Sequence, residues 1–320
     1  MLGKSARSTM TQAAITMRHT THKWCPLKTA FSKRGEPHSP RMRPNTYRII
    51  ARREHTMDYG LTGKVAIVTG AGGGIGNAIA RQFIAEGCRV LGADLNPAAV
   101  TGLGTPDQVL GYEVDLSTSE GPSKAVEAAI DAFGQVDILV NNAAIAPNRD
   151  TFLDVTDNDW KKVMDLNFMS MVRACRAVIP HMKSRGQGSI VTIASDEGRQ
   201  PDVYFVDYSV SKAAVLNLAK TLSIEFGPSG IRVNTVSPGP TRTALWDKDG
   251  GFADYLVDYL GASDREDAIM RFVKEIRRMP IERIGTPDDV AQVVLFLASD
   301  ISRQVTGSVY WVNGGTMLSI

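Results

Sequence analysis

The chain has 320 residues, 43% of them hydrophobic, and a formal net charge of +2 at pH 7. This length fits one large α/β domain or two small ones, and the hydrophobic share is normal for a packed core. Positive charge is concentrated in residues 1–57, whose only acids are Glu36 and Glu54. The remainder is therefore acidic, which argues against a nucleic-acid partner. No apolar run approaches the roughly 18 residues of a membrane span, so we expect a soluble protein with no membrane partner.

Cysteine and histidine usage limits the chemistry open to the chain. Its three cysteines are too scattered for a metal cluster and too few for a disulfide framework, which favours a reducing, cytoplasmic location. Beyond residue 57 the only histidine is His181, so a multi-histidine site is excluded there and we expect no metal. His181 follows Pro180 at a predicted helix end, where a capping or surface role is the simplest interpretation.

Residues 1–57 show no sustained periodicity and little apolar content, so we predict no folded structure for them. Their acid-poor, Arg-, Ser- and Thr-rich composition is similar to that of a mitochondrial transit peptide, which would place the protein in the mitochondrial matrix. Two other interpretations are a disordered extension and an upstream translation of a gene that really starts at Met57. We favour Met57, because the folded pattern begins within a few residues of it, and we predict a single domain over residues 58–320.

From residue 64 onwards, short β-branched runs alternate with helical stretches. The predicted strands cover residues 64–69, 89–93, 109–114, 137–140, 189–194, 232–236 and 308–312. The predicted helices cover residues 77–86, 119–133, 157–179, 206–226 and 287–298. This alternation predicts an α/β fold: a doubly wound, Rossmann-like parallel sheet of about seven strands with helices on both faces. The less regular residues 240–280 are expected to form a substrate lid.

A glycine-rich turn separates the first predicted strand from the first helix. Glycines at Gly70, Gly74 and Gly76 remove side chains that would keep the backbone away from a pyrophosphate, and the helix N-terminus supplies free N–H groups. Asp94 ends the second strand, where a carboxylate can accept from both ribose hydroxyls and repels a 2′-phosphate. No Lys or Arg lies in the turn or directly after Asp94. The sequence therefore predicts NAD rather than NADP as cofactor.

Tyr208 and Lys212 are four residues apart in a predicted helix, so their side chains share one face. A phenol ionises near pH ~10, and a neighbouring ammonium favours the phenolate. We therefore expect Lys212 to lower the pKa of Tyr208 and Tyr208 to serve as an acid/base group. This spacing alone also occurs by chance on ordinary solvated helices.

The motifs together resemble the short-chain dehydrogenase/reductase family over residues 57–320. The matching segments are Thr69-Gly-Ala-Gly-Gly-Gly-Ile-Gly76, Asp115, Asn141-Asn-Ala-Ala144, Asn167, Ser195, Tyr208 with Lys212, and Pro238-Gly239 followed by Thr243. Two positions depart from the family pattern: Ala144, where glycine is more usual, and Asn313, where aspartate is commoner. Neither change affects the catalytic assignment.

The resemblance implies a role for each matching residue. Tyr208 is the expected general acid/base, Lys212 holds the nicotinamide ribose, Ser195 hydrogen-bonds the substrate oxygen, and Asn167 holds a water in a proton relay. Taken alone, Ser195 could equally be a strand-end cap and Asn167 a helix-interior hydrogen-bonding residue. The expected cofactor-binding residues are Gly70, Gly72, Gly74, Ile75, Gly76, Asp94, Leu95, Asp115, Leu116, Asn142, Ala143, Ala144, Tyr208, Lys212, Pro238, Gly239, Thr241 and Thr243. Asn141 should meet either the adenine ribose or the sheet.

The resemblance also implies an NAD(H)-dependent enzyme that interconverts a secondary alcohol and a ketone, assembled as a homotetramer through helices 157–179 and 206–226. The alternatives are a 3-oxoacyl carrier-protein reductase-like enzyme and, from another class, a non-catalytic NAD-binding regulator. The substrate should be a partly apolar small molecule, although the same side chains could instead pack the lid against the body. The residues concerned are Val203, Tyr204, Phe205, Trp246, Phe252, Tyr255 and Leu256, with Asp196, Glu197 and Arg199 able to anchor a polar group.

Overall fold

A computed structural model describes residues 58–317. The predictions for residues 1–57, including a start at Met57, lie outside this range. Seven strands form the sheet: β1 (Val65–Thr69), β2 (Arg89–Asp94), β3 (Val109–Glu113), β4 (Ile138–Asn141), β5 (Gly188–Ile193), β6 (Ile231–Pro238) and β7 (Val309–Val312). The α-helices are α1 (Gly74–Ala85), α2 (Ala98–Thr101), α3 (Gly121–Phe133), α4 (Asp157–Met164), α5 (Ser170–Arg185), α6 (Val206–Phe226), α7 (Ala244–Asp247), α8 (Phe252–Leu260), α9 (Arg265–Arg271) and α10 (Pro287–Ala298).

All strand pairs in the sheet are parallel, in the order β3-β2-β1-β4-β5-β6-β7. The chain builds outwards from β1 to β3, then returns to add β4 on the other side of β1. This reversal opens a crevice at the carboxyl ends of β1 and β4, where doubly wound sheets bind their ligands. The predicted fold class is therefore confirmed.

Helices cover both faces of the sheet because the central strands are buried on both sides. On one face, Phe83 of α1 and Leu297 of α10 belong to a core that includes Val68 and Val140. The other face packs against α3, α5 and α6. Small buried residues such as Ser209, Ser211 and Ala219 line the inner side of α6, which brings the helix backbone close to the strands.

The predicted helix over residues 157–179 is longer and interrupted. A π-helical turn, Asp165–Met169, separates α4 from α5, and α5 continues to Arg185 with Pro180 inside it. The predicted end near Pro180 is wrong, because Met182 is fully buried in the core and holds the next turn in place. His181 Nε2 instead accepts a hydrogen bond from the Val136 N–H at 3.1 Å. It thus caps the loop before β4.

The lid contains more regular structure than its sequence indicated. Its helices α7, α8 and α9, followed by the π-helical turn Phe272–Ile276, enclose a small separate core. Among residues 58–317, no helix combines the length and apolar character needed to cross a membrane. Within the same residues, no cluster of three or more His, Cys, Asp or Glu side chains is arranged to hold a metal ion.

Candidate active site

The predicted site residues converge at one edge of the sheet because they follow parallel strands. Gly70 directly follows β1, Asp94 ends β2, Asn142 follows β4, Ser195 follows β5 and Gly239 follows β6. Since these strands are all parallel, their carboxyl ends lie together. Thr243 also reaches this edge: a Cβ built on Gly74 would lie 3.4 Å from its Cγ2 atom.

The glycine turn is tightly packed against the loop after β4. Gly70 has a φ of +67°, which side chains rarely tolerate. A Cβ on Gly76 would lie 2.1 Å from the Gly70 carbonyl oxygen and 2.6 Å from Asn142 Nδ2. Asn142 Nδ2 itself donates to the Thr69 and Gly70 carbonyls at 2.9 and 3.1 Å. Because the glycine turn packs against the loop after β4 in this way, the N-terminus of α1 stays open to a phosphate, as dinucleotide binding requires.

Replacing Gly76 by Ala should therefore lower the free energy of unfolding by about 1–3 kcal/mol, because the added methyl group cannot fit without moving the turn. Dinucleotide binding should weaken in the same variant. Gly73→Ala is the matched control for stability, since Gly73 is extended, exposed and has nothing within 4 Å of its added Cβ. Denaturant unfolding and titration with NADH measure both effects. Equal free energies of unfolding for the two variants would contradict this explanation.

Asp94 is tied to the glycine turn by its side chain. Its Oδ2 atom accepts from the Gly72 N–H at 2.9 Å, and Oδ1 accepts from the Asn96 N–H at 3.0 Å. A Cβ on Gly72 would lie 2.7 Å from the Asp94 carboxyl carbon, so only glycine permits this contact. The carboxylate is thereby fixed between the turn and the end of β2, where a ribose would lie.

The remaining predicted cofactor residues border this edge in different ways. Leu95 is 69% exposed, whereas Leu116 is buried in the core, which leaves only its backbone for a ligand. Asp115 is exposed, and hydrogen bonds from Ser117 lower its pKa. Asn141 belongs to the sheet: it is buried in β4, with Nδ2 3.5 Å from Cys175 Sγ.

The Tyr208 phenol, the Ser195 hydroxyl and the Lys212 ammonium form one group. Tyr208 lies in the first turn of α6, and Ser195 lies in the loop after β5. The Ser195 hydroxyl interacts with the phenol and lowers its pKa, although other effects outweigh this. Lys212 is 2% exposed, and its Nζ atom donates to the Ile193 carbonyl at 2.9 Å. Nζ lies 5.5 Å from the centre of the Tyr208 ring.

The expected fall in the Tyr208 pKa is not found. Burial raises the pKa of Tyr208 to about 12, and the negative charges of Asp196 and Glu197 add to this rise. Burial also lowers the pKa of Lys212 to about 8, because its ammonium has left water. The spacing of Tyr208 and Lys212 predicts only the effect of the nearby cation, whereas the desolvation and the two nearby carboxylates arise from the fold. Tyr208 is thus held as a neutral proton donor.

The buried Lys212 should make stability depend on pH. Because its pKa falls from 10.5 to about 8 on folding, the unfolded chain binds more protons between these values. The free energy of unfolding should therefore rise with pH across this window. Relative to Lys212→Met, wild type should gain roughly 2 kcal/mol between about pH 7.5 and pH 10. The matched control Lys220→Met removes an exposed lysine from the same helix and should keep the pH dependence of wild type. If the difference in free energy of unfolding between wild type and Lys212→Met did not change with pH, the burial argument would be contradicted.

Asn167 is buried in the π-helical turn Asp165–Met169, a distortion that is frequent at functional sites. Its Nδ2 atom donates to the Ile145 carbonyl at 2.8 Å, and its Oδ1 atom accepts from the Ile145 N–H at 2.8 Å. Nδ2 also lies 3.1 Å from Ser211 Oγ on α6. Asn167 therefore connects the loop after β4 with the helix that carries Tyr208.

Sequence reasoning missed several residues that hold this site. Arg149 forms a buried ion pair with Asp207, at 2.6 Å from Nη2 to Oδ2, and Asp207 Oδ1 accepts from the Tyr208 N–H. The pair fixes the start of α6 against the loop after β4. Arg277 of the lid reaches Asp196 at 3.2 Å and Glu197 at 3.5 Å. In the sequence, the one signal for this cation was the pair of consecutive acids, Asp196 and Glu197, directly after Ser195.

The residues proposed for substrate contact differ in their surroundings. Trp246 and Leu256 are buried inside the lid core, so lid packing explains them. Phe205 faces Tyr208, with ring centres 6.3 Å apart. Others are exposed: Val203, Tyr204, Tyr255 and Arg199. Asp196 and Glu197 are already paired within the protein, so neither is free to anchor a ligand without losing a partner.

Comparison with known proteins identifies the family. A family model described as enoyl-(acyl carrier protein) reductase matches residues 70–317. An uncharacterised short-chain type dehydrogenase/reductase of Sinorhizobium fredii is 36% identical over 268 residues, covering 81% of this chain and 99% of the relative. The chain belongs to the short-chain dehydrogenase/reductase family. The resemblance found in the sequence is confirmed.

Solved structures of this family share the fold. A 3-ketoacyl-(acyl-carrier-protein) reductase from Brucella melitensis, complexed with NADH, is 31% identical with a TM-score of 0.69, covering 80% of this chain and 99% of that one. An L-sorbose reductase from Gluconobacter frateurii, complexed with NADPH and L-sorbose, is 34% identical with a TM-score of 0.76, covering 82% of this chain and 100% of that one. The chain is accordingly an oxidoreductase that transfers hydride between a nicotinamide dinucleotide and an alcohol or carbonyl group.

Proposed function

We propose that this short-chain dehydrogenase/reductase uses NAD(H) to interconvert a secondary alcohol and a ketone, with Tyr208 as general acid/base. The observation that supports this role is the convergence of Tyr208, Ser195 and Lys212 at the same edge of the sheet as the glycine turn. The bound nicotinamide supplies hydride to the carbonyl carbon or accepts it from the alcohol. The protein must then stabilise the negative charge on the substrate oxygen and supply a proton.

The side chains divide this work between them. Tyr208, neutral because of its raised pKa, donates its proton to the substrate oxygen during reduction. When the substrate binds, the Ser195 hydroxyl turns its single proton from Asp196 to donate a second hydrogen bond to the same oxygen. Lys212 places a cation beneath the Tyr208 ring, which stabilises the phenolate left after proton transfer, and it also holds the nicotinamide ribose. Asn167 supports a relay of water between Lys212 and solvent.

The preference for NAD over NADP is proposed from Asp94. Its carboxylate is fixed by the Gly72 and Asn96 N–H groups, so it stays at the end of β2 as a fixed acceptor for ribose hydroxyls. A 2′-phosphate would meet this negative charge, and no Lys or Arg of the turn could compensate it. The remaining cofactor residues predicted from the sequence are proposed to line the same edge, from Asp115 at the adenine end to Thr243 at the nicotinamide end.

A screen of secondary alcohols and ketones with NADH and NADPH tests this function. We expect at least one pair to turn over, with a higher kcat/KM for NADH than for NADPH. The likeness to a 3-ketoacyl-(acyl-carrier-protein) reductase supports a second candidate, reduction of a 3-oxoacyl group on a carrier protein. A 3-oxoacyl thioester therefore belongs in the same screen. A clear NADPH preference would contradict the Asp94 argument, and turnover of the thioester alone would favour the second candidate.

We propose a homotetramer in which α5 and α6 pair between subunits. The outer sides of these helices form an apolar groove lined by Val172, Ile179, Leu218, Leu222 and Phe226. Covering such a groove with a second copy removes apolar surface from water. Replacing Leu218 by Arg should therefore dissociate the assembly, as measured by light scattering. If light scattering gave the wild-type protein the mass of a single chain, the proposal would be contradicted.

We propose a cytoplasmic location from the state of the described cysteines. Cys88 and Cys175 are free and buried. Burial raises the pKa of each thiol to about 12, so both are poor nucleophiles and form no disulfide. Free thiols of this kind suit a reducing compartment. Fractionation of cells that express the native protein measures the location directly.

A further inference from the structure

The turn after Ser195 carries a cluster of acids that the proposed chemistry does not use. Asp196 and Glu197 are 4% and 8% exposed, and Asp202 lies close by. Arg277, from the end of the lid's π-helical turn, reaches all three. Its Nη2 atom lies 3.2 Å from Asp196 and 3.5 Å from Glu197, and its Nη1 atom lies 3.8 Å from Asp202.

Both buried acids hold the turn that carries the catalytic serine. Asp196 Oδ1 accepts from the Ser195 hydroxyl at 3.3 Å, and Oδ2 accepts from the Thr316 hydroxyl at 3.2 Å. Glu197 Oε2 accepts from the Asp202 N–H at 2.6 Å and from the Ser209 hydroxyl of α6 at 3.2 Å. The turn is therefore anchored to α6, to the C-terminal segment and, through Arg277, to the lid.

The charges in this cluster depend on Arg277. Burial raises the pKa of Asp196 and of Glu197, and the guanidinium opposes this rise in each case. Without that cation, two buried carboxyl groups would stand side by side uncompensated, which is costly in a low-dielectric site. The same two carboxylates act on the Tyr208 phenol. Arg277 thus balances charge next to the proton donor.

The backbone at this point adopts an unusual conformation. Among the non-glycine residues of the range 58–317, Arg278 alone has a positive φ, of +47°. The Met279 N–H then donates to the Val273 carbonyl at 2.9 Å, and the Met279 side chain is buried in the lid core. A left-handed conformation at an arginine costs free energy, and such strain concentrates at functional sites. The left-handed residue directly follows Arg277, whose side chain reaches the acids.

We propose that Arg277 is a positioning residue that connects the lid to the catalytic turn: by bridging Asp196 and Glu197 it fixes Ser195 beside Tyr208. This inference rests on the proposed function, in which Ser195 and Tyr208 act on the substrate oxygen. Contact between Arg277 and the substrate is not required. Its loss should therefore affect turnover more than cofactor binding, because the glycine turn and Asp94 hold the dinucleotide independently.

Hydrogen exchange on the full chain tests the positioning role without a substrate. In Arg277→Gln, the Glu197, Gly198 and Asp202 amides should exchange about tenfold faster or more, because these N–H groups lose their fixed acceptors in the turn. Arg277→Lys keeps the charge and should restore part of the protection. Arg278→Gln removes the same charge at an exposed neighbour and should leave these amides unchanged. Unchanged exchange in Arg277→Gln, or equal acceleration throughout the chain, would overturn the proposal.

Kinetics supply the second readout, using the ketone with the highest turnover in the screen. In Arg277→Gln, kcat should fall about tenfold or more, because small displacements of a catalytic group are costly, while the Kd of NADH stays within about twofold. Arg277→Lys should recover part of kcat, and Arg278→Gln should match wild type. A loss of kcat that lysine does not rescue, or an equal loss of NADH binding, would refute the positioning role. If no ketone turns over, the proposed function fails, and the exchange result still decides the role of Arg277 in the turn.

Discussion

Replacing Tyr208 by Phe is expected to lower kcat by about 10²–10⁴-fold, the usual contribution of general acid/base catalysis. The substitution removes the phenolic oxygen alone and keeps the ring that packs near Phe205 and Lys212. The variant should therefore fold normally and bind NADH with a Kd within about twofold of wild type. Steady-state kinetics with the best ketone, together with NADH titration, measure both quantities.

Tyr59→Phe is the matched control for this experiment. Tyr59 precedes β1 and so lies at the amino edge of the sheet, away from the candidate site, and its hydroxyl should contribute little to turnover. If Tyr208→Phe kept wild-type kcat, the proton donor would have to be another group. If the variant lost turnover and NADH binding together, the role of Tyr208 would be structural.

Replacing Asp94 by Ala should remove most of the preference for NADH over NADPH. Hydrogen bonds to a charged group contribute about 1.5–3 kcal/mol, so the Kd of NADH should rise by roughly 10- to 150-fold. The Kd of NADPH should fall or stay level, because the charge that faces the 2′-phosphate is gone. Loss of the bond to the Gly72 N–H also loosens the turn, which limits any gain for NADPH.

Glu113→Ala provides the control for the change in charge. Glu113 pairs with Asp94 across β2 and β3 and is exposed, so its removal alters the local charge without touching the turn. We expect its ratio of NADH to NADPH affinity to remain close to wild type. If the ratio of NADH to NADPH affinity changed equally in Asp94→Ala and Glu113→Ala, general electrostatics rather than the Asp94 carboxylate would set the cofactor preference.

Local signals in the sequence were sufficient to predict most of the fold. The predicted bounds of α6 and α10 match the structure. Helix α10 begins with Thr286 as a capping residue, Asp289 completing the capping box and Pro287 in the first turn, all of which are local features. The strands were equally clear, because buried parallel strands are continuous apolar runs. The carboxyl-edge site follows from that topology.

Features that depend on distant contacts were not predicted. The π-helical turn around Asn167 is stabilised by its bonds to Ile145 and Ser211, which no local pattern reveals. The lid helices are short and enclose their own core around Trp246 and Phe272, so their sequence resembled an irregular segment. The raised pKa of Tyr208 depends on burial and on Asp196 and Glu197, which become neighbours only after folding.

Transfer of deuterium from labelled NADH tests the central claim most directly. Wild-type protein, the best ketone of the screen and NADH carrying deuterium at the transferred position should give an alcohol with one deuterium on the carbinol carbon, detected by mass spectrometry. Tyr208→Phe should form this product far more slowly while still binding NADH. An alcohol product without the label, or equal rates of labelled product from both proteins, would contradict the proposed hydride and proton transfer.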